Sequence, residues 1–181
     1  MSTSIENISI QHLSREDEAP VCELLHRNLD IFDERKCILV STFRRLKNLY
    51  ESYSQEGCHF LVAKDEIIHP SRTAACVGLG PLHGLPSSEG VGEIRDLVVD
   101  PDYRGHGLGR ALLDRSIEAA KYLGYRRLYL EATQSMQIAH KLFKNRGFRP
   151  IKDLTLLVIE TDEPESDQEH RGACYFLLEN L

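Results

Sequence analysis

The chain has 181 residues, 41% hydrophobic and 28% charged, with a formal net charge of −6. That length buries a core without staples, and the acidic balance argues against a nucleic-acid partner, which needs a basic face. Five scattered cysteines without a C-x-x-C pair argue against a disulfide scaffold, and eight histidines without ligand spacing predict no metal. No run reaches the ~20 apolar residues of a membrane span, and the start lacks a basic-then-apolar signal. The expectation is a soluble, cytoplasmic chain folded as one domain over residues 1–181.

Ile5 to Leu13 alternates apolar and polar residues, as a first or edge strand does. Ser14 or Asp17 is placed to cap a helix through Val21, Leu24 and Leu25 to about Leu29, with Pro20 tolerated in its first turn. The spacing of Ile38, Phe43, Leu46 and Tyr50 predicts a second helix over Arg35 to Tyr53, before Gly57 interrupts. Cys58 to Lys64 reads as a strand, Asp65 to Arg72 as a turn, and Thr73 to Gly80 as another strand. In that strand Gly78 and Gly80 mark a bulge or a close backbone approach. Pro81 to Val91, with its prolines, serines and glycines, is expected to be a mobile loop.

The centre of the chain is Gly92 to Arg110. Glu93 to Val99 reads as a strand ending at Asp100-Pro101, with charges among its early positions. Gly105, Gly107 and Gly109 follow, and then an amphipathic helix from Leu108 to about Leu123, ended by Gly124. Strand, glycine loop and helix start suit an anion. The loop's N–H groups are uncovered, the helix start adds roughly half a positive charge, and Arg104 and Arg110 bracket the loop.

Arg126 to Ala132 is the next strand, made a parallel neighbour of the first by the intervening crossover helix. Ser135 is placed to cap a further helix carrying Ile138, Ala139, Leu142 and Phe143, closed by Gly147. Phe148 to Ile159 reads as a strand, Glu160 to Arg171 as an acidic loop, and Ala173 to Leu178 as the last strand. The sum is about seven strands and four helices with one parallel crossover.

Arg104-Gly105-His106-Gly107-Leu108-Gly109 matches R/Q-x-x-G-x-G/A, after a strand ending Leu97-Val98-Val99 and a proline turn. Ala139-x-x-Leu142-Phe143-x-x-x-Gly147-Phe148 follows the pattern A-x-x-L-Y-x-x-x-G-F. Together these resemble the GNAT superfamily of acetyl-CoA-dependent N-acetyltransferases, over about Gly92 to Pro150. The resemblance implies an α/β fold: a mixed, mostly antiparallel seven-stranded sheet flanked by about four helices, with two splayed parallel central strands. It implies acetyl-CoA as co-substrate, with main-chain N–H groups of Gly105, His106, Gly107, Leu108, Gly109 and Arg110 at the pyrophosphate and Arg104 among the cofactor-binding residues. The pantetheine arm would lie along Leu97, Val98 and Val99. An N–H near Val98 or Val99 would face the thioester carbonyl, a donor worth ~3 kcal/mol. Phe143 would lie beside the cofactor where the family commonly has the tyrosine that protonates the thiolate. Met136 stands where many members have asparagine.

The implied reaction is acetyl transfer to a primary amine of a small molecule or peptide, by direct attack, since no cysteine motif supports a covalent relay. A base must first deprotonate the amine. Glu93 is the first candidate and Glu131 the second; the plain reading of Glu93 is a solvated strand-end carboxylate. A catalytically silent acyl-CoA-binding or sensing module is the alternative, as is an interaction protein using a strand edge. The acidic run from Glu160 to Glu169 is either a solvated loop or an attractor of cationic amines. Tyr50, Tyr53 and Phe43 are candidates for an acceptor pocket or for core. His140 reads as a solvated residue beside the cleft, Lys144 either as a partner of the cofactor's phosphates or as a plain helix-end lysine, and a homodimer through terminal strands is open.

Overall fold

The computed structural model describes residues 7–31, 45–67, 72–82, 90–152 and 173–181. Strand β1 (Ile8–His12) leads through a 3-10 turn (Arg15–Asp17) into helix α1 (Glu18–Ile31). The Asp17 carboxylate accepts from the Ser14 N–H at 2.9 Å and its hydroxyl at 2.7 Å, which pins the entry to the helix. Val21, Leu24 and Leu25 recur at helical spacing and are buried.

The helix expected over Arg35 to Tyr53 is broken. Residues 35–44 lie outside the described residues. Residues 45–47 are helical, Asn48 leaves helical geometry (φ −139°), and α2 (Leu49–Tyr53) begins anew. The break has a packing reason: Arg45 and Tyr53 reach the same carboxylate, that of Asp96.

The strands β2 (His59–Asp65), β3 (Arg72–Pro81), β4 (Val91–Val99), β5 (Arg127–Thr133), β6 (Arg149–Ile151) and β7 (Ala173–Glu179) complete a seven-stranded sheet. Its order is β1-β2-β3-β4-β5-β7-β6, and among the described residues only β4 and β5 are parallel. Helix α3 (Leu108–Tyr122) is the crossover between those two strands, and α4 (Gln137–Lys144) follows β5. The mixed sheet expected from the sequence is the one observed.

One face of the sheet carries Leu79, Ile94, Leu128 and Leu130 against Leu112 and Leu113 of α3 and Phe143 of α4. Full burial of such a leucine contributes about 1.5–3 kcal/mol. The opposite face carries Phe60, Val62 and Cys76 against α1 and α2, and a smaller cluster of Leu82, Val91, Tyr129 and Leu177.

Two local expectations are corrected. Ser135 does not cap α4: its hydroxyl lies 2.8 Å from that of Thr133, and Met136 holds the N-cap position. The strand expected from Phe148 is described only as Arg149–Ile151, and residues 153–159 lie outside the described residues. The loop core (83–89) and the acidic run (160–169) also lie outside them, as does Phe43. No helix among the described residues is long and apolar enough to cross a membrane.

Candidate active site

β4 and β5 pair from Val91–Arg127 to Ile94–Leu130, and there the pairing ends. β4 continues to Val99 and β5 to Thr133, so the strands part with Arg95 to Val99 on one side. β5 beyond the fork remains paired to β7 on its other edge. The backbone groups β4 turns toward the gap have no strand to bond, and a polar backbone calls for a partner.

A bulge in β4 sits at the fork. Against β3, Cys76 faces Val98 while Gly78 faces Arg95, so Asp96 and Leu97 together oppose Val77. Asp96 takes the left-handed conformation (φ +56°), the only described non-glycine residue besides Asn180 to do so. The extra residue reverses the alternation. Leu97 and Val99 join Ile94 on the α3 face, whereas Val98 packs with the α1–α2 cluster.

What holds this strained turn is ionic. The Asp96 carboxylate accepts from Arg45 Nε at 3.0 Å and Nη2 at 2.9 Å, and from the Tyr53 hydroxyl at 2.7 Å. The side chains of Arg45 and Asp96 are 14% and 9% exposed, so the pair is buried. Burial opposes the charge on Arg45, but Asp96 outweighs it and holds the guanidinium pKa above its ordinary value. Burial, and then Asp96, push the Tyr53 hydroxyl well up, so it remains a donor.

The two glycines of β3 make this possible. A Cβ at Gly78 would collide with the Tyr53 hydroxyl, and one at Gly80 with Arg95 Nη2. The close approach expected at both is the observed geometry. Arg95 also donates to Glu93 at 3.1 Å and lies over the Tyr53 ring at 5.6 Å. Glu93 is register-paired with Tyr129 of β5, whose hydroxyl burial pushes up first and Glu131, Tyr175 and Glu93 further.

Past the fork, Asp100 is buried, caps the turn Pro101–Tyr103 by accepting from Asp102 N–H at 3.0 Å, and accepts from Arg72 at 2.9 Å. The Arg104 guanidinium donates to the Val99 carbonyl at 3.0 Å and to Asn28 of α1 at 2.8 Å, so its charge is engaged on the fold. Gly105 (φ +80°) and Gly107 (φ +86°) take the left-handed conformation, with open space where a Cβ would stand. The first helical bond of α3 runs from Ala111 N–H to the Gly107 carbonyl at 2.9 Å. The N–H groups of Leu108, Gly109 and Arg110 therefore have no intrahelical acceptor. Gly109 is different: it lies inside the first turn, and a methyl there would only touch Val99 and Leu142 at 3.5 and 3.7 Å. His106 and Arg110 are exposed, and Arg110 stands 3.8 Å from Asp114.

The fork and the amide-lined helix start lie at the two ends of Leu97–Val99 and its turn, so one extended ligand with an anionic end can touch both. A family model, acetyltransferase (GNAT) family, matches residues 25–148. The chain belongs to the GNAT family of acetyltransferases. It is 32% identical over 120 residues to the amino-acid acetyltransferase of Mycobacterium tuberculosis, a match covering 66% of this chain and 60% of that protein. A GNAT acetyltransferase structure from Staphylococcus aureus Mu50 superposes with a TM-score of 0.70 at 22% identity, covering 93% of this chain and 97% of the other. The yncA structure from Salmonella typhimurium, solved with its cofactor acetyl-CoA, gives 0.69 at 18% identity, covering 96% and 94%. At these identities both structures bear on fold alone.

Within the family, the chain's departures from the pattern have definite places. Phe143 is buried in the core, with ring centroids 5.5 Å from Phe176 and 6.2 Å from Phe148. His140 is partly buried, its Nε2 2.9 Å from the Thr133 carbonyl at the end of β5. Glu131 is on the exposed part of β5, on the side of the sheet that carries Glu93 and Tyr129. Among the described residues no cluster of three His, Cys, Asp or Glu could hold a metal ion.

Sequence reasoning did not single out Arg45, Asp96 or Arg95. The available signal was local: three charges, Glu93, Arg95 and Asp96, in a strand that ends Leu97-Val98-Val99, with Gly78 and Gly80 in the preceding strand.

Proposed function

We propose that the protein transfers the acetyl group of acetyl-CoA to a primary amine by direct attack, with both substrates bound together. The carrying observation is the fork of β4 and β5, bulged at Asp96, at the same end of the sheet as the amide-lined start of α3. The residues present fit acetyl-CoA. Gly105 and Gly107 carry no Cβ over the loop, and the first-turn N–H groups of α3 are bare toward an anion. Bound there, acetyl-CoA supplies an activated acyl carbon and a thiolate of low basicity.

In this reading the Gly105–Arg110 amides hold the pyrophosphate, and the parted edge of Leu97, Val98 and Val99 bonds the pantetheine amides as a neighbouring strand would. An N–H at Val98 or Val99 meets the negative charge that develops on the acyl oxygen. Glu93 removes the proton from the ammonium of the acceptor, with Glu131 as the second candidate. Direct attack is supported at three of the five cysteines: burial pushes Cys22 and Cys58 up and Cys76 well up, which leaves these three poor nucleophiles.

The test is thiol release. Acetyl-CoA is incubated with the protein and a panel of amines, and free coenzyme A is measured. Amine-dependent release is expected. Tight acetyl-CoA binding without release under any amine would instead favour a silent acyl-CoA-binding module, the reading to which the absent hydroxyl at Phe143 lends weight.

A further inference from the structure

β3 is an interior strand of the sheet, yet it carries Gly78 and Gly80, and a glycine inside a strand weakens it. Neither glycine takes a positive φ, so backbone conformation does not require them. Space does. The end of the Tyr53 ring lies on Gly78, and the Arg95 guanidinium lies on Gly80. Those two glycines are in register with Arg95 and Glu93 of β4. The strand is therefore bare opposite the candidate base and the arginine that holds it.

Tyr53 is the side chain that uses this opening. It is the last residue of α2, one turn after the fully buried Leu49, and is itself buried. Its ring packs edge-on against Phe60, with centroids 4.6 Å apart, which fixes the plane of the ring. From there it makes two polar contacts. The hydroxyl donates to the Asp96 carboxylate at 2.7 Å, a charge-assisted bond. The face meets the Arg95 guanidinium, 5.6 Å from the ring centroid, and Arg95 Nη1 donates in turn to Glu93 at 3.1 Å. Asp96 is the bulge residue after which the alternation of β4 reverses, so its orientation decides which of the following amides face the gap. One phenol from α2 thus reaches both the acyl-binding edge and the base.

We propose that Tyr53 is a positioning residue for the transfer: through Asp96 its hydroxyl fixes the edge that receives the acyl arm, and through Arg95 its ring fixes the carboxylate that receives the proton. This rests on the acetyl-transfer reading above, with Glu93 as base, and adds the side chain that keeps the two halves of that site in constant relation. Tyr53 does this without touching a substrate. Its effect belongs in the rate, because misplacing reacting groups by about 1 Å costs on the order of 100-fold.

The experiment separates the two contacts in the full chain, by thiol release and by acetyl-CoA calorimetry. Tyr53→Phe removes the hydroxyl and keeps the ring. It should weaken acetyl-CoA binding severalfold and lower kcat/KM by about tenfold, with the alkaline rise of kcat/KM unmoved. Tyr53→Leu removes both contacts. It should lower kcat severalfold further and displace the alkaline rise, a change that loss of folded protein does not produce. In a Glu93→Gln background that further loss should vanish, since the ring acts on the rate through this carboxylate. Circular dichroism reports the folded fraction, and where Tyr53→Leu does not fold the Tyr53→Phe results decide. A Tyr53→Phe variant with the parent's acetyl-CoA affinity and kcat/KM would overturn the inference and leave acetyl transfer standing. So would a Tyr53→Leu variant with the parent's pH profile, or a further loss that persists in the Glu93→Gln background. No amine-dependent release by the parent would overturn the transfer reading and this inference with it.

Discussion

Replacing Asp96 by Asn, Gly and Ala separates the two things this residue does. It is the anion for a buried guanidinium, and it holds a left-handed backbone at the bulge. Removing one partner of a buried ion pair costs about 3–5 kcal/mol, because the other charge stays behind. Arg45 is 14% exposed, so the lower end applies. Glycine adopts φ +56° freely, so Asp96→Gly should cost about 3 kcal/mol. Alanine pays the same loss plus about 1–2 kcal/mol for the left-handed backbone, near 4–5 kcal/mol in all. Asparagine tolerates that backbone and still accepts from Tyr53, so about 2 kcal/mol is expected, the loss of charge assistance to Arg45. Urea unfolding with linear extrapolation gives the three differences. For a chain of this size the alanine variant should melt lower by about 10 °C or more. The same order, Asn above Gly above Ala, is expected for acetyl-CoA affinity, since the bulge keeps the β4 edge turned to the gap. An alanine variant within about 1 kcal/mol of the parent, or a glycine variant no more stable than the alanine one, would refute the reasoning.

Glu93→Gln should flatten the alkaline rise of kcat/KM, and an unchanged profile would pass the role to Glu131 or to water. The pair His12 and His59, with ring centroids 4.6 Å apart, predicts an acid-sensitive fold. Burial first, and then His12, hold the His59 pKa below its ordinary 6.5. The unfolded chain therefore binds the proton at higher pH than the folded one, and stability falls as pH drops from about 6.5 through the lowered value, then levels. His59→Gln should reduce that slope in unfolding experiments between pH 7 and 5; a slope identical to the parent's would contradict it.

The glycine loop was legible because its requirements are short-range. A proline ends β4, positive φ at Gly105 and Gly107 demands glycine, and the apolar stripe of α3 announces the helix. The parallel pair followed from the crossover rule. The bulge was not legible, since aspartate tolerates the left-handed region but nothing local in a strand selects it. Asp96 adopts it because Arg45 and Tyr53 arrive from elsewhere in the chain. Likewise the break at Asn48 answers to packing on Asp96 and not to helical spacing, which continues through it. Gly78 and Gly80 showed that something approached, but only the fold says that it is Tyr53 and Arg95.

The central claim is that bare amides at the start of α3 grip the diphosphate of acetyl-CoA. Titration calorimetry of acetyl-CoA into the parent, Gly107→Leu and Gly109→Leu tests it most directly. Gly109 is the cleaner site, because its φ is ordinary and a Cβ there makes only van der Waals contact. The account predicts saturable one-to-one binding by the parent and affinity weaker by at least about tenfold, 1.4 kcal/mol, in both variants. No binding by the parent, or undiminished binding by a folded Gly109→Leu variant, would contradict it.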